Sequence, residues 1–350
     1  MDKNFKSKIM KRVVIMITPV LICGMNRLVI ATVVVLFSII FCISCNKDEE
    51  NFVGIENISF DNYPKVDGST SARALNMMIA CKLLGVNYRW QGLEYSKPWQ
   101  NEVIEWNIAP ETEDIPRQYG EDFFSKRIMT SQTHGAFMNL IDSNADIILT
   151  HRTISPDEKI HADAVGVTLM ETPIALDAFV FVVNKKNPVK SLTVNQIQKI
   201  YTKKITNWSK VGGNNIDLFA FTRPRNSGSE EVFRAVVMDG LEPADFPEIF
   251  QILDMPYVLI NALNIENSIC YTFNNYAEVI VRMPDVPKIA INGIFPDKNT
   301  VKNSTYPFIS KVYVAIRSDL NRNSMAYKLY EWLQSDDAKS TIRECGFITK

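Results

Sequence analysis

The sequence predicts an α/β fold built as two lobes, and three observations carry that expectation. Short apolar, β-branched runs alternate along the chain with amphipathic helical stretches, the order that gives parallel sheets covered by helices. One of these runs, AFVFVV at 178–183, is apolar without interruption, as in a parallel strand buried on both faces. The 350 residues exceed one typical core, yet no repeat or low-complexity linker divides them. The chain is therefore expected to cross between its lobes more than once.

In order, residues 58–60 read as a short strand, and 73–84 as an amphipathic helix entered through the loop YPKVDGSTSA. Residues 137–141 have helical period, and 145–149 form a buried strand. After the 178–183 strand, residues 195–201 and 230–238 are helical. Residues 312–316 give a strand, and 325–333 a helix with an aromatic and aliphatic inner face.

Residues 1–44 stand outside the fold. A basic start, KNFKSKIMKR, precedes an apolar stretch, and Met25-Asn26-Arg27 opens a second apolar run from Leu28 to Ser44. From Met25 onward this has the parts of a signal peptide, so Met25 is a candidate start; the alternative is a single membrane anchor. Cys42-Ile43-Ser44-Cys45 resembles a bacterial lipobox, which makes Cys45 the expected lipidation site and mature N-terminus, followed by a polar tether to residue 57. The protein is thus expected to be an exported lipoprotein, held at the periplasmic face or the cell surface.

The formal charge of −1 conceals an uneven split, because residues 1–44 hold six basic side chains and one acid. The remainder carries 32 basic against 38 acidic residues, a net −6. A chain this acidic is unsuited to coating nucleic acid, which needs a basic face. Any anion must be caught by a local site. Beyond the leader three cysteines remain, Cys81, Cys270 and Cys345, too far apart in sequence for metal-ligand spacing. Their odd number leaves at least one thiol free or intermolecular, and the pairing open.

Three hydroxyl-rich segments precede helical stretches. Asp67-Gly68-Ser69-Thr70-Ser71 joins close backbone approach at a glycine to hydroxyls and free helix N–H groups, which suits an anion and equally suits an ordinary N-cap. Ser131-Gln132-Thr133-His134-Gly135-Ala136 enters a helix in the same way. Arg223-Pro224-Arg225-Asn226-Ser227-Gly228-Ser229-Glu230 contains a capping box, Ser227-x-x-Glu230, and places two guanidinium groups beside that helix start. Three such starts in one chain suggest convergence on one ligand. His134, His151 and His161 show no metal-ligand spacing, and no nucleophile elbow, Walker loop or dinucleotide fingerprint occurs. No catalytic residue, metal or cofactor is expected.

These segments resemble the substrate-binding proteins of phosphate transporters, in a lipoprotein-like branch. The resemblance runs from about Tyr63 to Lys350. Its most specific stretch is ETPIALDAFVFVVNKKNPVKSLTVNQIQKIYTKKITNWSKVGG, with YPKVDGSTSA, SQTHGAF, NADIILTHRTIS, RPRNSGS, INGIFP and the terminal ECGFITK in support. It implies a two-lobed type II periplasmic-binding-protein fold with a double-crossover hinge, residues 58–178 plus 273–350 forming one lobe and 179–272 the other. It further implies a protein that closes on an oxyanion, foremost inorganic phosphate, and hands it to an ABC transporter permease; with the long apolar runs confined to the leader and no catalytic motif, a monomer without enzymatic activity is expected.

The ligand-binding residues so implied are Ser69, Thr70, Ser71, Thr133, His151, Arg223, Ser227, Gly228 and Ser229, with Arg223 the main charge partner and Arg225 secondary. Asp177 falls near the lobe crossover and is expected to shape the hinge. Phosphate binders of this family place a proton-accepting aspartate where His151 stands here, which leaves sulfate-like and organic phosphoryl anions open and Asp67 as a competing acceptor. A surface or sensory binder without transport and a phosphoester hydrolase are the alternative functions.

Overall fold

The computed structural model describes residues 52–95 and 103–350, and in it the apolar run at 178–183 is the second half of a 15-residue strand, Leu169–Val183. Cys45 and the leader lie outside the described residues. In chain order the elements are strand β1 (Val66–Gly68), helix α1 (Arg73–Leu84), strands β2 (Tyr88–Tyr95) and β3 (Val103–Pro110), helix α2 (Gln132–Ile141), strand β4 (Ile147–Thr150) and helix α3 (Pro156–Ala164). There follow the long strand β5, strand β6 (Ser191–Leu192), helix α4 (Val194–Tyr201), strand β7 (Phe219–Ala220) and helices α5 (Gly228–Val232) and α6 (Pro256–Asn264). Strands β8 (Ser268–Phe273), β9 (Ala290–Ile291) and β10 (Ile309–Arg317) and helices α7 (Met325–Trp332) and α8 (Asp336–Glu344) complete the chain.

One sheet of order β1-β4-β10-β5-β8-β7 runs through the molecule. β5 belongs to both of its halves. Its first part, Leu169–Ala178, pairs antiparallel with β10, which continues to β4 and β1. Its second part, Phe179–Val183, pairs antiparallel with β8, which is parallel to β7. The 178–183 run is buried throughout, as its composition requires, but both its neighbours are antiparallel. An uninterrupted apolar run reports burial on two faces; it says nothing about strand direction. The sheet is accordingly mixed rather than parallel.

One further expectation is corrected. Residues 58–60 form no strand: the Ser59 N–H donates to Asn62 Oδ1 in a tight turn, and Phe60 turns its ring onto Tyr119 and Phe123 at 5.1 and 4.9 Å. The first strand is instead the VDG of β1. Residues 287–308, expected with the first lobe, bond to the second half of β5, whereas Asn275 bonds Cys345 O and Arg282 lies over Trp90 and Trp106. The Val183 N–H donates to Pro287 O, Ile289 N–H to Phe181 O and Phe179 N–H to Phe308 O, and β9 pairs with β6.

Local chemistry explains the helices. RALNMMIACKLL in α1 lacks Gly and Pro and stops at Gly85, whose φ of 68° is the left-handed turn that glycine adopts without strain. Thr193 and Gln196 cap α4 reciprocally, side chain to backbone in both directions. The core of the second half is aromatic: Phe233 stacks on Tyr271 at 4.6 Å with Phe179, Phe181 and Tyr201 around them. The helix expected at 230–238 is α5 followed by a π-helical turn, Phe233–Met238. Cys81, Cys270 and Cys345 are buried free thiols, and burial pushes those of Cys81 and Cys345 up to about 12.

Candidate anion-binding site

Parallel strand pairs end on the same side. The chain leaves β1 and β7 toward one small cavity, and Phe273 at the end of β8 forms part of its wall. The first loop leaves β1 at Gly68, where a Cβ would lie 2.6 Å from Leu149 O and 2.8 Å from Asn76 Nδ2, so only glycine lets β1 lie this close to β4. Ser69, Thr70 and Ser71 then turn into the cavity wall. Asp67 ties this loop to the second: its carboxylate accepts the N–H of Gly68 at 2.7 Å, the N–H of Ser131 at 2.9 Å and Asn139 Nδ2 at 2.7 Å. With its oxygens so engaged and its side chain away from the cavity lining, Asp67 is a brace between loops.

The second loop brings Gln132 and Thr133 to the cavity. Gln132 has φ 62°, a strained value for a non-glycine residue, and it follows Ser131, which Asp67 and Asn139 hold by its N–H and its hydroxyl. The third comes from the other half of the sheet. Gly228 at the start of α5 packs against Thr133, and a Cβ there would fall 2.2 Å from Thr133 Oγ1. Ser227 Oγ accepts the Glu230 N–H at 3.3 Å, but the expected reciprocal half of the capping box is absent. The Glu230 carboxylate accepts instead from Tyr271 OH and from Arg234 Nε. As first-turn groups, the Gly228 and Ser229 N–H have no partner within the helix.

Arg223 dominates the electrostatics. It is buried, with 7% of its surface exposed, and its Nη1 donates to Ile252 O at 2.8 Å and its Nε to Ser229 Oγ at 3.3 Å. Its backbone N–H is held by Tyr271 OH at 3.0 Å. Among the described residues no carboxylate lies within salt-bridge distance of its guanidinium. Burial pushes its pKa below the ordinary value, although arginine stays charged. A buried cation without a counter-ion is costly, and an anion in the cavity it lines would remove that cost. The cavity volume is ≈ 20 Å³, the scale of a small ion rather than of an organic molecule.

Eight of the nine expected ligand residues line it, from Ser69, Thr70 and Ser71 through Thr133 to Arg223, Ser227, Gly228 and Ser229. His151 does not. Its Nδ1 lies 2.8 Å from Ser71 Oγ, one residue behind the wall, and its ring stacks on Phe273 at 4.1 Å. Arg225 is exposed and away from the lining. Gln132, Met255 and Phe273 complete the wall. Gln132 stood inside a segment already suspected, whereas Met255 and Phe273 are brought in only by tertiary packing. His134 and Arg152 both bond Glu158, and His161 pairs with Asp142 at 2.8 Å. Asp177 accepts the N–H of Ala178 and of Asn275, joining the middle of β5 to the chain leaving β8.

Geometry and comparison agree on the class. The chain belongs to the PBP superfamily, whose domain model matches residues 124–337. It is similar to the protein SphX of Synechococcus elongatus, 26% identical over 231 residues, covering 62% of this chain and 67% of that one. It is also similar to the phosphate-binding protein PstS of Bacillus subtilis, 23% identical over 207 residues, covering 59% and 65% respectively. Among solved structures it shares its fold with a substrate-binding protein with bound phosphate from Clostridium perfringens, at TM-score 0.55 and 20% identity over 84% of this chain and 99% of that one. An ABC-type phosphate transport receptor from Vibrio cholerae matches at TM-score 0.54 and 22% identity, over 84% of this chain and the whole of the other. The family expected from the RPRNSGS and ITNW segments is thereby borne out, and with it the two-lobed type II binding-protein fold.

Proposed function

We propose that this protein captures inorganic phosphate between its lobes and delivers it to an ABC-type importer. The observation that carries this reading is Arg223: a buried guanidinium without a carboxylate partner, facing an ion-sized cavity ringed by hydroxyls and helix N–H groups. The names of the similar proteins point the same way. The lobes we assign are 58–178 with 309–350, and 179–308, because β8 and residues 287–308 bond to the second half of β5. Asp177, bonded to both crossing segments, serves as a hinge brace.

Export and lipidation at Cys45 follow from the leader. Among the described residues no helix is long and apolar enough to cross a membrane, which is compatible with an anchor confined to the N-terminus. Calorimetric titration of the full chain with phosphate tests the reading. One phosphate per chain is expected, and absence of binding at millimolar phosphate overturns it.

A further inference from the structure

Behind the pocket wall, three side chains form a file from the first loop to the hinge. Ser71 lines the pocket; its Oγ lies 2.8 Å from His151 Nδ1, and His151 Nε2 lies 3.4 Å from Asp177 Oδ2. The His151 side chain is 0% exposed and that of Asp177 3%. The imidazole is fixed by Phe273, stacked at 4.1 Å, and by Phe347 at 5.7 Å. Nε2 has no aligned hydrogen-bond partner, so Asp177 acts on it as a charge at close range. Asp177 is itself immobilised, its Oδ1 accepting the N–H of Ala178 at 2.8 Å and of Asn275 at 3.1 Å.

A carboxylate facing one ring nitrogen favours the proton on that nitrogen, because a lone pair there would face negative charge. Nδ1 of the neutral ring is then bare and can only accept. Ser71 has a single hydroxyl proton, and Nδ1 at 2.8 Å takes its hydrogen bond. The Ser71 oxygen is left with lone pairs alone, one within reach of Ser69 Oγ at 3.1 Å and one toward the pocket. A fully ionised oxyanion would set an oxygen lone pair against it. An oxyanion that keeps one proton would donate that proton.

We propose that His151 and Asp177 are positioning residues that turn the Ser71 hydroxyl into an acceptor, so that the pocket selects a protonated oxyanion over a fully ionised one of the same shape. The inference rests on the anion-binding reading above and deepens it. It reverses the expectation that a histidine at 151 leaves hydrogen phosphate and sulfate poorly distinguished.

The test is titration of the full chain with phosphate and with sulfate, together with ¹⁵N spectra of the histidine rings under the same conditions. Wild type should prefer phosphate by at least ~100-fold, since a site built to pair a ligand proton rejects the analogue lacking it. In His151→Leu, Ser71 regains a free donor, and the preference should fall at least ~10-fold through tighter sulfate binding. His151→Asn, whose carbonyl can still accept from Ser71, should keep most of the preference. The spectra should show a proton on Nε2 of His151 and none on Nδ1. Equal binding of both anions by wild type, an unchanged preference in His151→Leu, or a protonated Nδ1 overturns the relay while leaving the anion site standing. Binding of neither anion overturns the site itself. Should His151→Leu fail to fold, the spectra of the wild-type protein decide.

Discussion

Two buried arginines stand on opposite sides of the hinge, and the chain treats them in opposite ways. Arg152, just after β4, makes a two-pronged bond to Glu158, 2.7 Å from each guanidinium nitrogen to each carboxylate oxygen. Both side chains are nearly inaccessible, at 8% and 0%. Arg223, just after β7, is as deeply buried, yet its partners are a carbonyl and a hydroxyl. The nearby carboxylate, Glu230, is drawn away by Tyr271 and Arg234. One guanidinium is neutralised by a carboxylate; on the proposed reading the other is kept available for an anion. The two are equally inaccessible, so the absence of a counter-charge is what sets Arg223 apart.

Breaking the neutralised pair should produce the largest effect. Glu158→Gln leaves Arg152 buried without its counter-ion and also weakens the bonds to Ser155 N–H and His134. Removing one partner of a buried pair costs about 3–5 kcal/mol, a large share of the ~5–15 kcal/mol that holds a domain together. Denaturant unfolding should show this loss, while phosphate affinity of the folded variant changes little. A stability within ~1 kcal/mol of wild type would mean that the Arg152–Glu158 contact is energetically idle.

At Arg223 the two readouts should separate. Each charge-assisted bond contributes about 1.5–3 kcal/mol, so Arg223→Met should weaken phosphate binding by roughly 10- to 100-fold or more. Stability of the unliganded protein should stay level or rise, because an apolar side chain of similar volume replaces an unpaired buried charge. Arg225→Ala, altering an exposed guanidinium outside the lining, serves as the control and should leave affinity near the wild-type value. A large fall in stability with affinity retained would place Arg223 with Arg152 as a structural arginine.

The same contrast explains what the sequence could and could not reveal. The three hydroxyl loops were legible because capping chemistry and anion binding call on the same residues, and a glycine beside them signals close approach. The elements at 73–84 and 312–316 lie within a few residues of where the sequence puts them, although the helix at 73–84 is buried on nearly every side rather than amphipathic. Strand direction at 178–183 was not legible, because a doubly buried strand carries no pattern that encodes its neighbours. The hairpin β2–β3 and helices α6 and α8 were passed over as well. Nor could spacing separate Arg152 from Arg223, since Glu158 and Glu230 lie six and seven residues beyond them, and only packing decides which carboxylate turns inward. His151 lies in the expected neighbourhood but one layer back, behind Ser71 rather than in the cavity wall.

The smallest of the three effects concerns the contact that joins the two sides. Gly228, from the Arg223 side, sits against Thr133, from the side of Arg152, and a methyl group at 228 would lie 2.2 Å from Thr133 Oγ1 and 3.0 Å from its Cβ. Rotating Thr133 about its Cα–Cβ bond can relieve the first clash; the second persists, since Cβ is fixed by the backbone. The third loop must therefore move away from the second, which separates Arg223 and the Ser229 N–H from the Thr133 hydroxyl across the cavity. Overpacking of this kind costs about 1–3 kcal/mol, and the strain exists only while the two loops are in contact. Gly228→Ala should consequently weaken phosphate binding by roughly 5- to 100-fold and leave the unfolding free energy of the unliganded chain nearly unchanged. Because Thr133→Ala retains the offending Cβ, adding it to Gly228→Ala should restore little. Full affinity in Gly228→Ala would mean that the loops bind the anion without this close approach, and the comparison between the two sides would then end at their arginines.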